Sequence, residues 1–111
     1  MALLKLGLTP EGKAVLGGAF QMSDTHGLPL SVFIELAQER DSVLSVPHFF
    51  ASAMEAGWDD VKTFSRIEEA FRDSGTPFDL ERIKTGCIAL FMRFDGKPWE
   101  MGRKMRLWLE S

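Results

Sequence analysis

Apolar residues recur at helical spacing through the middle of the chain. From Pro29 to about Arg40, Leu30, Phe33, Ile34 and Ala37 fall on one side and Glu35, Gln38 and Glu39 on another, the pattern of an amphipathic helix. Pro47 suits the first turn of a second helix over residues 47–56, with Phe49, Phe50, Ala53 and Met54 as its apolar side and Gly57 as a left-handed stop. Asp59 or Asp60 caps a third, in which Val61, Phe64, Ile67 and Phe71 repeat every three or four residues until Gly75 ends it. This third segment carries the strongest periodic signal in the chain.

The two ends admit more than one reading. Thr9-Pro10-Glu11 has the form of an N-cap followed by proline, and Gly17-Gly18 that of a stop, which together predict a short helix; alternatively, the Leu-rich runs 2–8 and 14–16 form a hairpin around Pro10-Glu11-Gly12-Lys13. Beyond Gly75, Asp79 to Thr85 reads as a capped helical turn, whereas the run from Cys87 to Phe94 is apolar on every side and fits a buried helix or a buried strand. Asp95-Gly96 is a turn, after which Pro98 starts a last helix with Met101, Met105, Trp108 and Leu109 inward and Arg103, Lys104 and Arg106 mostly outward. A hairpin joined at Asp95-Gly96 is the alternative. The expected fold is therefore mainly α, a small bundle of about four or five short helices, with one β-hairpin as the α+β variant.

Length and composition agree with a single domain spanning residues 1–111: 45% hydrophobic and 26% charged residues are ordinary globular values. Nine Phe and three Trp with no Tyr supply packing surface and few phenolic hydroxyls. If the chain cannot bury them all, a homodimer is favoured. The single cysteine, Cys87, allows no internal disulfide and no multi-cysteine zinc site. No run approaches the roughly 20 apolar residues of a membrane span, and the N-terminal run is too short for a signal peptide, so a cytoplasmic location without membrane attachment is expected. Net charge is −3, divided into −5 over residues 1–75 and +2 over residues 76–111.

The stretch Ala19-Phe20-Gln21-Met22-Ser23-Asp24-Thr25-His26-Gly27-Leu28-Pro29-Leu30 resembles the segment of alanyl-tRNA synthetases that follows the catalytic core, where an Ala-Phe pair precedes Asp-Thr-Tyr-Gly-Phe-Pro-Leu. The likeness continues through Ile34 to Glu39, Val46, Phe49 or Phe50 and Ala53-Met54-Glu55, so that it spans about residues 19–57. In that family the segment belongs to the helical tRNA-recognition region, which implies an RNA-binding module. His26 stands where the family has Tyr, Leu28 where it has Phe, and residues 58–111 match nothing in it. The chain holds none of the family's ATP-binding arginine motifs, so aminoacylation is not expected of it. Independently of the resemblance, Asp24, Thr25, His26, Gly27 and Pro29 form a turn motif: Asp24 or Thr25 accepts backbone amides, Gly27 permits a positive φ, and Pro29 opens the next helix.

Candidate chemistry is sparse. His26 and His48 stand 22 residues apart with no paired ligand spacing, so neither metal nor cofactor is expected. A small enzyme built on Asp24, His26 or Cys87 is a further alternative, yet Cys87 lies in an apolar run where a thiol packs as a small hydrophobe. Asp59-Asp60 and Glu68-Glu69 read as a helix N-terminus and a solvated face. The one contact surface is C-terminal: Trp99, Arg103, Lys104, Arg106 and Trp108, with Lys97 nearby, mix cations with aromatic rings in a way that suits a protein hot spot or phosphates with base stacking. A final helix with Trp buried and charges solvated is the plainer account of the same residues. The expectation is a small acidic adaptor or inhibitor, of the kind viral or mobile elements supply, that binds a protein in preference to RNA, because the chain is acidic overall.

Overall fold

The N-terminal segment is the hairpin and not the helix. In the computed structural model, which describes residues 3–111, β1 (Leu4–Leu8) and β2 (Ala14–Gly17) pair antiparallel with Leu8 opposite Ala14 and Lys5 opposite Leu16, with a bulge between Lys5 and Gly7. Met1 and Ala2, where the apolar run 2–8 begins, lie outside the described residues. Thr9 forms a turn and caps no helix: its N–H donates to Lys13 O at 2.8 Å, its Oγ1 accepts from the Lys13 N–H at 3.1 Å, and Gly12 takes φ 87°. A two-residue strand, β3 (Val43–Leu44), joins β2 in parallel and completes the order β1-β2-β3.

Among the described residues six helices make up most of the remainder, one more than the upper expectation. α1 (Ala19–His26) runs between two left-handed glycines, Gly18 at φ 91° and Gly27 at φ 68°. α2 (Leu30–Glu39) buries the anticipated Leu30, Phe33, Ile34 and Ala37. α3 (Val46–Glu55) starts where Ser45 Oγ accepts the His48 N–H and is buried on every side from His48 to Met54, so it is the central helix of the fold. α4 (Asp60–Ser74) is capped by Asp59, whose carboxylate accepts the Lys62 N–H at 2.7 Å, and ends at Gly75. Its buried residues are Thr63, Phe64, Ile67 and Ala70; Val61, expected inside, is 75% exposed because it sits on the first turn, beyond the core's edge.

The open question at Cys87 resolves as one helix, α5 (Leu80–Phe91), which is capped by Asp79, passes through Gly86 and buries Cys87 and Phe91. After the turn at Asp95-Gly96, α6 (Pro98–Glu110) places Pro98 in its first turn, and Glu100 accepts the Lys97 N–H at 3.2 Å. The core is contiguous and aromatic: Phe50 stacks on Phe64 at 4.9 Å between centroids and meets Phe91 edge-on at 5.5 Å, while Phe20, Phe49 and Trp58 pack edge to face. α3 and α6 share the most extensive helix contact. A Cβ on Gly102 would come within 2.6 Å of Glu55 N and 2.7 Å of Ala51 O, so the missing side chain is what lets the two backbones approach.

Candidate functional site

With Gly102 and Met105 turned into the core, α6 must present the opposite side to solvent. Trp99, Arg103 and Leu107 follow one another at spacings of four and line a cleft of about 280 Å³ together with Glu100 and Lys104. Trp99, Leu107 and Trp108 are each close to half exposed, at 49%, 47% and 49%. Trp108 was expected inside; it sits beside the core-facing row instead, packs edge-on against Phe94 at 6.4 Å, and carries the Arg93 guanidinium 5.4 Å above its ring. Lys104 Nζ donates to Asp95 O at 2.7 Å, which ties the middle of α6 to the preceding turn. Among the described residues Arg93, Lys97, Arg103 and Lys104 are all exposed and none forms an ion pair. Leu107 and Arg93 were not singled out in the sequence; the spacing of four from Arg103 marked Leu107, whereas nothing local marked Arg93.

Arg106 belongs elsewhere, which corrects the expected surface. It faces α3, where its Nε and Nη2 grip both carboxylate oxygens of Glu55 and its Nη1 reaches Glu110 at 3.1 Å. Glu110 Oε2 in turn lies 2.8 Å from Nε2 of His48, a ring only 1% exposed, and Nδ1 of that ring accepts the Gly18 N–H at 3.2 Å. Because Nδ1 accepts, the donor proton belongs on Nε2, where it points at the carboxylate. Burial raises the Glu110 carboxyl, but hydrogen bonds from His48 and Arg106 together with the Arg106 charge outweigh it and hold the group below the usual carboxylate range. The Glu55 hydrogen bond raises Arg106 above its ordinary value. This chain of four side chains fastens the last turn of α6 to α3 and to the strand-helix junction at Gly18.

The turn motif is also placed differently from its expected form. Asp24, Thr25 and His26 are the exposed last residues of α1, so their backbone amides are already used within the helix. Ser23 Oγ, not Asp24 or Thr25, makes the local bond, donating to Leu28 O at 2.5 Å. Gly27 has the expected positive φ, and Pro29 sits at the N-cap of α2 with extended backbone, one position earlier than a first-turn proline. Between this corner and α4 lies an open depression of about 370 Å³, with Gly27 to Ser31 on one wall and Arg66, Glu69 and Asp73 on the other. A smaller one of about 140 Å³ adjoins it over Phe20, Phe49 and Trp58, where Arg66 lies 5.2 Å and Lys62 4.1 Å from the Trp58 ring.

Asp24, His26 and Cys87 are not brought together. Asp24 lines the small depression beside Trp58, whereas Cys87 borders a separate apolar one with Val46, Pro47 and Ile83. Among the described residues no hydrogen bond links the three, and burial pushes the Cys87 thiol up to about 12, far from thiolate chemistry. Also among the described residues, no cluster of three or more His, Cys, Asp or Glu could hold a metal ion, and no helix is long and apolar enough to cross a membrane. No family, no curated protein and no solved structure matches the chain.

Proposed function

We propose that the chain is a non-enzymatic interaction module, an adaptor or inhibitor, that binds another protein through the outward side of α6. What carries this reading is the cleft on α6 where Trp99 and Leu107, each about half exposed, stand with Arg103 and Lys104, cations that form no ion pair among the described residues, while a third half-exposed ring, Trp108, lies on the other flank of the helix. Trp and Arg are the residues from which protein hot spots are most often built, and exposed apolar surface of this kind is unfavourable unless it is covered. A second copy of the chain is one candidate partner, which sedimentation at several concentrations would detect.

The test is a photo-reactive residue at position 107 with a control at exposed Val32 on α2. A product found only at position 107, and lost in Trp99→Ala and Trp108→Ala variants of unchanged fold, supports the reading; equal labelling at both positions refutes it. RNA contact is the second reading, favoured by cations beside two Trp rings, Arg103 and Lys104 with Trp99 and Arg93 over Trp108, and by the likeness of residues 19–57 to a tRNA-recognition segment. Absence of tRNA binding even at low salt would remove it.

A further inference from the structure

A side of a helix offers a partner no backbone hydrogen bonds, because the N–H and C=O groups along α6 are already paired within it. Whatever covers that side must therefore satisfy its own backbone, and a helical segment does so, whereas an added strand needs a free sheet edge. The stripe from Trp99 to Leu107 spans about 12 Å, close to two helical turns, which matches apolar side chains three and four apart on a helix lying alongside. Cations outnumber carboxylates along the stripe: Arg103 and Lys104 line the cleft with the single carboxylate of Glu100, and Lys97 stands at the start of α6.

We infer that the outward side of α6 takes an acidic amphipathic helix of a partner protein, whose apolar side chains enter the Trp99–Leu107 cleft and whose carboxylates meet Arg103 and Lys104. This rests on the reading of α6 as the contact surface and adds the chemistry of what it contacts. Nucleic acid is the less suited occupant, because one side of the Trp108 ring is already covered by Arg93, which leaves less of it for a base to stack on.

The probe is a labelled helical peptide of about 18 residues with leucines at positions three and four apart and glutamates flanking them, beside its counterpart with lysine for every glutamate. Anisotropy gives affinity for the full chain, and amide shifts of α6 locate the binding. The acidic peptide is expected to bind at least about tenfold more tightly than the basic one at low salt, with the margin shrinking as salt rises. The variant Arg103→Glu, whose circular dichroism should match the parent because that side chain is exposed and makes no hydrogen bond among the described residues, should abolish the preference. Equal affinity for both peptides, or binding to neither while cross-linking at position 107 persists, overturns the acidic-helix inference and leaves the interface standing. A single-stranded oligonucleotide that binds more tightly than either peptide and shifts the same α6 amides overturns both.

Discussion

Replacing Gly102 by Ala adds one methyl group to α6, and by helix propensity alone it should stabilise the helix by about 0.8–1.0 kcal/mol. The packing opposes this. The new carbon would lie 2.6 Å from Glu55 N, 2.7 Å from Ala51 O and 2.8 Å from the Met54 Cβ, and two of these three are backbone atoms of α3 that no rotamer change can move. Relief requires α6 to withdraw from α3, loosening Met105 from the core and lengthening the Arg106–Glu55 pair one turn further along. Overpacking of this kind costs about 1–3 kcal/mol, and the rigidity of both contact atoms places the change at the upper end, so the net loss should be about 1–2 kcal/mol. Gly86 provides the control, since it lies within α5 and has no atom within 4 Å of its would-be Cβ. Gly86→Ala should therefore gain about 0.8–1.0 kcal/mol. Urea unfolding of the two variants should move the midpoint in opposite directions, and thermal melting by roughly 4 °C for each kcal/mol. If Gly102→Ala stabilises as Gly86→Ala does, the close approach of α3 and α6 is wrong.

Arg106→Ala removes the partner of two carboxylates that are each less than a third exposed, and a loss of about 1–3 kcal/mol is expected in urea unfolding; a change near zero would mean that the network is ornamental. Glu110 is held below its ordinary carboxylate range in the folded chain, so its contribution is fully present above the unfolded value near 4.3 and is lost as pH falls through the folded one. Stability measured from pH 7 down to pH 3 should accordingly fall less steeply in Glu110→Gln than in the parent, and parallel curves would contradict the assignment. The Cys87 thiol, buried and raised to about 12, should resist a thiol reagent at pH 8 in the folded chain and react once urea unfolds it; rapid labelling without denaturant would show that α5 is not packed as described.

Much of the helical framework was legible in the sequence because its signals are local. The Asp59 and Asp79 caps, the left-handed Gly27 and Gly75, and the three-four repeat of Phe64, Ile67 and Phe71 all act over four residues or fewer. The chemistry of the C-terminal surface was legible in part: Trp99, Arg103 and Lys104 share the predicted outward side, while Arg106 does not. The N-terminal segment was undecided because Thr9-Pro10 satisfies both a cap and a turn, and only pairing with Ala14–Gly17 separates them. The run from Cys87 to Phe94 was undecided because a segment apolar on all sides has no period.

By itself, then, the sequence determined where helices start and stop, which sides of them are apolar, and that the chain would be mainly helical. Tertiary structure decided the rest, and the reason is sequence distance. The two-residue β3 exists only because Val15 and Leu16 lie beside it. Gly18 meets His48 across 30 residues, Arg106 meets Glu55 across 51, and Glu110 meets His48 across 62. No window of neighbouring residues contains both partners of any of these bonds. Whether a cation on α6 faces solvent or a carboxylate therefore depends on how α6 is rolled against α3, and the missing side chain of Gly102 sets that roll.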